Sequence, residues 1–277
     1  MDLNINAIAR RVDALKMRNS ARDARMNDIL AVRKGNMADI YPDLFPEGMD
    51  KSMVANFVDV AARDLAEVLA PLPSFNCSTT NVTSDKARTF ADKRGMIANN
   101  YVYFSRLQSQ MYWGADWYFS YGFLPVHVEP DFDGGMPRIR VEDPLGSYPE
   151  FDRFGRCIAF AKRYYKTIGE LAAEYPEYAF ALLGRDGFNQ DTSTMIEMVR
   201  YTDKDVTVLY LPTRGNLVLN SVPNLMGKML VNVARRPGID DEARGQFDDV
   251  IYVQLARARF ANLAMEAAEK SIQAPLV

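Results

Sequence analysis

Histidine occurs once in this chain, at His127, and cysteine twice, at Cys77 and Cys157. Two cysteines far apart, with one imidazole, form neither a zinc-binding spacing nor a disulfide framework. They fit a reducing compartment. Long apolar runs are also missing: no stretch approaches the ~18 residues of a membrane helix, and Met1 to Ala9 lacks the basic-then-apolar pattern of a secretory leader. There is no excess of positive charge. Thirty-three Lys and Arg stand against 36 Asp and Glu, a net charge of -3, so no global basic surface invites nucleic acid or anionic lipid. Walker A, G-x-G-x-x-G, H-E-x-x-H and G-x-S-x-G patterns are absent too. What is present is ordinary globular material: 277 residues, 48% apolar and 25% charged. That suits one large domain or two modest ones with a packed core.

The hydrophobic period divides the chain. Ile5, Ile8, Val12, Leu15, Ile29 and Val32 recur at helical spacing, predicting a helix over 3–34 with a basic excess between them, stopped at Gly35. A rigid connector follows at Tyr41 to Pro46. A second helix is predicted over 50–70, with Val54, Phe57, Val58, Ala61, Leu65, Val68 and Leu69 as its apolar stripe, and Pro71 and Pro73 beyond it. A third is predicted over 85–112, running into the aromatic cluster Tyr101, Tyr103, Phe104, Tyr112, Trp113, Trp117, Tyr118, Phe119, Tyr121 and Phe123. Such density stacks bases in some proteins; in most it is a core seam. From about 117 the period becomes two. Strands are read at 117–128, 137–141, 157–165, 195–201, 205–211, 216–220 and 228–233, with a short helix from Thr167 capped by the Thr167/Glu170 box. The fold class expected is therefore α+β: N-terminal helices (1–116), a mostly antiparallel β-rich part (117–236), and a long C-terminal Ala-rich helix (237–277).

That last segment differs from the rest. Residues 241–273 contain no proline and one glycine, and alanine recurs at 256, 258, 261, 264, 267 and 268. Alanine is the best helix former. Apolar atoms point in nearly all directions, and a helix apolar all round must be packed on more than one side. Val250, Val253, Ala256, Phe260, Ala261, Leu263, Ala264 and Ala267 are the candidate assembly residues. Asp240 and Asp241 suit a positive helix start, and with Asp248 and Asp249 they form a candidate acidic rim.

Residues that carry chemistry are sparse. His127 lies in a strand-like run without an evident orienting partner. Glu129, Asp131, Asp133 and Glu142 are the best metal candidates, yet Asp131 as position 1 of a calcium loop puts Met136 where glycine is required. A hairpin turn reads better. No cofactor, metal site or catalytic residue is expected.

Three ordered stretches stand out. They are Glu142-Asp143-Pro144-Leu145-Gly146-Ser147-Tyr148-Pro149-Glu150-Phe151-Asp152 with Gly155-Arg156; Tyr201-Thr202-Asp203-Lys204-Asp205 with Pro223-Asn224-Leu225-Met226-Gly227 and the apolar run to Val231; and Arg236-Pro237-Gly238 with Gly245-Gln246-Phe247-Asp248-Asp249-Val250, ending in Gln273-Ala274-Pro275. Together these stretches resemble tailed-phage portal proteins, over about 140–277. The resemblance implies an N-terminal wing, a first stem helix over about 241–272, and clip, return helix and crown lying outside this sequence. It also implies a ring of about a dozen copies closed by head-to-tail contacts, seated at the capsid portal vertex of a virion assembled in the host cytoplasm. Double-stranded DNA would pass through the ring, with packaging motor (terminase), major capsid protein and head-tail adaptor as partners. A mildly acidic chain suits such a conduit, since neutralising phosphates with Lys and Arg creates strong, salt-dependent binding. The competing readings are another virion or scaffold protein without a channel, a metal-dependent enzyme at Asp131, Asp133, Glu142 and His127, and a single-strand binder at the 101–123 aromatics.

Overall fold

The structure is a computed structural model, and it describes residues 4–40, 42, 55–72, 74–81, 83–131, 134–183, 191–238 and 242–272. The fold is α+β, with antiparallel strands and a long C-terminal helix. Internal contacts gather the chain into two compact units. One comprises Met1–Ser20, Pro125–Val128 and Gly146–Val233; the other comprises Ala21–Leu124, Glu129–Leu145 and Ala234–Val277.

The first unit is built on a five-stranded antiparallel sheet in sequential order: β3 (Ser147–Phe151), β4 (Cys157–Thr167), β5 (Met195–Asp203), β6 (Val206–Leu211) and β7 (Leu217–Pro223). Alternation along each strand sorts its side chains to two faces. Ala159, Ala161, Val199, Tyr201, Val208 and Tyr210 form one core with Ala9, Val12 and Leu15 of α1 (Ile5–Arg18). Ile196, Met198, Leu211 and Leu219 form the other, with Ile168 and Leu171 of α6 (Ile168–Glu174) and Leu182 of α7 (Ala179–Leu183). Arg11 fastens α1 to the sheet: Nε donates to Glu150 Oε2 at 2.7 Å and Nη1 to the Tyr201 hydroxyl at 2.9 Å. The capping box at α6 forms as read, Glu170 N–H donating to Thr167 Oγ1 and Thr167 N–H to Glu170 Oε2. His127 lies on β1 (Phe123–Glu129), whose neighbour is β8 (Val231–Arg235).

The second unit is helical: α2 (Ser20–Lys34), α3 (Phe57–Leu69), α4 (Asp85–Phe104), α5 (Leu107–Tyr121) and α8 (Val250–Ile272), with the short strand β2 (Arg138–Val141). Gly35 ends α2 at φ +82°, as its position predicts. Asn56 caps α3, its Oδ1 accepting from Asp59 N–H, while its Nδ2 donates to the last carbonyls of α2 at Val32 and Arg33. Between these helices Arg33 donates to Asp59 Oδ1 at 3.1 Å, and to Asp116 Oδ2 and Ser120 Oγ at 2.9 Å.

Four expected elements differ. The long helix expected over about 241–272 begins only at Val250, residues 242–249 being turn and irregular backbone. The helix expected over 3–34 is two helices, broken at Asn19, whose own amide Nδ2 donates to Leu15 C=O. The helix expected over 85–112 is also two, because Arg106 takes a left-handed conformation at φ 49°. The strand expected from Trp117 is helix to Tyr121, and β1 begins only after Gly122, at φ +80°. Aromatic residues favour strands in general, but Leu107, Gly114, Ala115 and Tyr121 are inward at helical spacing.

Candidate functional site

The residues singled out for chemistry do not converge. His127 is buried in β1, 1% exposed. Asp131 caps its own turn, Oδ1 accepting from Gly134 N–H at 2.8 Å and Oδ2 from Arg138 Nε at 2.6 Å. Glu142 accepts from Arg140 Nε at 2.9 Å, and Asp133 lies outside the described residues. Among the described residues no three His, Cys, Asp or Glu side chains gather around a metal-sized site. Burial pushes the Cys157 thiol up to about 12, away from the reactive thiolate.

A cleft of about 720 Å³ opens beside β2, lined by Phe104, Arg106, Gln110, Glu129, Arg138 and Arg140 among others. Its charges are of both signs, and Arg138 and Arg140 are engaged by carboxylates. The aromatic cluster does not stay together either. Tyr121 and Phe123 enter the core, whereas Tyr103, Phe104 and Trp113 are exposed.

The segment leading into α8 is held tightly. A Cβ at Gly245 would collide with the Ser120 carbonyl, and one at Gly122 with the Arg244 carbonyl. Only glycines allow that approach, which lets Gln246 N–H donate to Phe119 C=O at 2.7 Å and Arg236 N–H to Gly122 C=O at 2.8 Å. Asp248 turns inward. Its Oδ1 accepts from Gly245 N–H at 3.2 Å and Oδ2 stands 3.7 Å from Arg25. Burial raises its carboxyl above the ordinary range, the Arg25 charge opposing this. Of the four acidic-rim candidates, Asp249 is exposed, Asp248 is this inward anchor, and Asp240 and Asp241 lie outside the described residues.

From there α8 has two faces. Ile251, Leu255, Ala258 and the polar Gln254 and Asn262 are buried. Gln254 Nε2 donates to Ala55 C=O at 3.2 Å, and the Arg257 guanidinium stacks 4.0 Å from the Phe57 ring centroid, so this side is seated on the start of α3. The opposite side is apolar as well: Val253, Ala256, Phe260, Leu263, Ala264 and Ala267 are exposed, Phe260 by 70%. Their steps of three and four residues make a continuous stripe. Of the candidate assembly residues, Ala261 alone is half-buried, at the edge of this stripe, and Val250 begins it.

The candidates did not include α3 and α4. Val60 and Val68 on α3, and Phe90, Ile97 and Phe104 on α4, are exposed. A readable signal existed: Ala91, Gly95, Ala98 and Val102 form a second, small-residue stripe on α4 at helical spacing, and it is the side turned inward. Asn99 holds it there by two hydrogen bonds to Phe75, each 3.0 Å.

Among the described residues no helix is long and apolar enough to cross a membrane. No protein-family model matches the chain, and no curated protein matches it.

Proposed function

We propose that this chain is a structural subunit that assembles with its own copies into a ring of the portal type, a conduit for double-stranded DNA at a virus capsid vertex. The observation that carries the reading is the outward apolar stripe of α8. A single exposed Leu or Phe is unremarkable in a globular protein, but a contiguous apolar stripe marks an interaction surface. Its alanines permit close helix approach, and Phe260 and Leu263 supply the apolar area. The ordered resemblance over about 140–277 supports the same reading. The opening segment Gly245 to Val250 is fixed at its start by backbone contacts to α5, which gives the long helix a rigid root. In this reading motor, adaptor and capsid protein are the partners, and the DNA contact is weak and non-specific.

Solution mass by native mass spectrometry, with negative-stain imaging, tests the proposal. The expected result is a closed ring of about a dozen copies with a central hole wide enough for B-form DNA. Phe260→Glu should abolish the ring with unchanged circular dichroism, because it places an unpaired charge in the contact. A wild-type chain that stays monomeric at all concentrations overturns the reading.

A further inference from the structure

The cleft beside β2 lies within the helical unit. One wall is the junction of α4 and α5, with Phe104, Ser105, Arg106 and Gln110; the other is β2 and the residues before it. Side chains of the junction tie the two walls together. Ile139 N–H donates to Ser105 Oγ at 2.8 Å, Val141 N–H donates to Gln110 Oε1 at 2.9 Å, and Gln110 Nε2 donates to Ser105 C=O at 2.9 Å. Those two N–H groups of β2 are therefore used, and a peptide strand adding to this edge would find them taken. At about 720 Å³ the cleft has the size of a small-molecule site, and its tied walls make it preformed.

The charges divide between the walls. On the strand side they are matched: Arg138 Nε donates to Asp131 Oδ2 at 2.6 Å, and Arg140 Nε donates to Glu142 Oε1 at 2.9 Å, with Glu129 3.9 Å from Arg140. On the junction side Arg106 is the single charged lining residue, and its guanidinium has no ion pair or hydrogen bond among the described residues. Its backbone is left-handed, φ 49° and ψ 40°. A side chain at that conformation costs what glycine would not. Next to it Phe104 is 59% exposed, and Met136 and Pro137 add further apolar lining. The cleft thus offers one unmatched cation beside an aromatic ring, between walls held at a fixed distance.

We propose that this cleft binds a small organic anion, a carboxylate or phosphate monoester carried on an apolar or aromatic body, with the Arg106 guanidinium meeting its charge and Phe104 and Met136 its body. Charge-assisted hydrogen bonds from guanidinium to carboxylate or phosphate are the strong ones. Binding of this kind does not depend on assembly, so it is measured equally well on a single copy or a ring.

Calorimetric titration of the full chain with phenyl phosphate and with benzoate tests it. At least one should bind saturably, and more tightly than inorganic phosphate, which lacks the body. Arg106→Gly should weaken that binding roughly tenfold or more while raising the melting temperature, because glycine relieves the left-handed strain. Arg106→Lys should keep much of the binding, and Glu129→Gln should tighten it by removing a like charge from the lining. If Arg106→Gly fails to fold, Arg106→Asn replaces it with the same expectation, since asparagine also tolerates this conformation. No binding of either probe at millimolar concentration overturns the proposal. Binding that survives Arg106→Gly places the ligand elsewhere and overturns it too. Benzylamine bound in preference to both anions overturns the assigned sign of charge.

Discussion

In the sheet unit the inward positions of β5 and β6 hold Val199, Tyr201, Val208 and Tyr210, and the opposite face holds Ile196, Met198 and Leu211. In α3 and α4 of the helical unit the inward positions hold Ala62, Ala66, Ala91 and Gly95, and the large residues stand outside. The sheet unit thus buries most of its bulk within one copy. Part of the helical unit leaves bulk exposed. Burying a large apolar side chain is worth roughly 1.5–3 kcal/mol, so the same residue types stabilise the fold in one region and, left in water, add little to it in the other.

The sharpest test of that contrast is Arg33, which ties the helical unit by charge where bulk is scarce. Arg33→Ala leaves Asp116 buried without its cation, while Asp59 keeps Arg63, and should lower stability by about 3–5 kcal/mol in denaturant unfolding. An effect below about 1 kcal/mol would show that small-residue packing suffices. In the sheet unit Leu171→Ala or Leu211→Ala should lose about 2–5 kcal/mol, since both are fully buried. By contrast Phe90→Ala or Phe104→Ala should change stability by no more than about 0.5 kcal/mol, since both are exposed. Equal losses in both regions would erase the distinction. The smallest effect is at Asp248. Its folded pKa is raised, so its contribution to stability is full below the ordinary carboxylate range and is lost as pH rises through the folded value. Asp248→Asn should flatten that part of the stability profile, read from thermal unfolding across the acidic range.

Much of the fold was legible. The period of two over 195–220 became the β5–β6–β7 meander, Thr167 and Glu170 made their box, Gly35 ended its helix, and the alanine-rich segment became α8. The misreadings have local causes. Arg106 is left-handed without being glycine, which no propensity announces. The 117–121 aromatics have strand propensity, but the helix they continue is already nucleated and packed. The predicted α3 stripe included Phe57, Val68 and Leu69, which are exposed, because counting apolar residues cannot tell two apolar stripes on one helix apart.

The sequence by itself determined which segments are helix and which are strand, for the most part, because backbone period and capping chemistry act over a few residues. It also determined that α8 is apolar on more than one side. Only the tertiary structure decided which side of each helix faces in. That choice depends on fit between distant segments: Gly95 admits the backbone at Phe75 and Cys77, Gly245 admits the Ser120 carbonyl, and Arg33 needs Asp59 and Asp116 together. Close packing rewards complementary shape and charge more than apolar character alone, and so it left Phe90, Ile97, Phe104 and Phe260 facing outward.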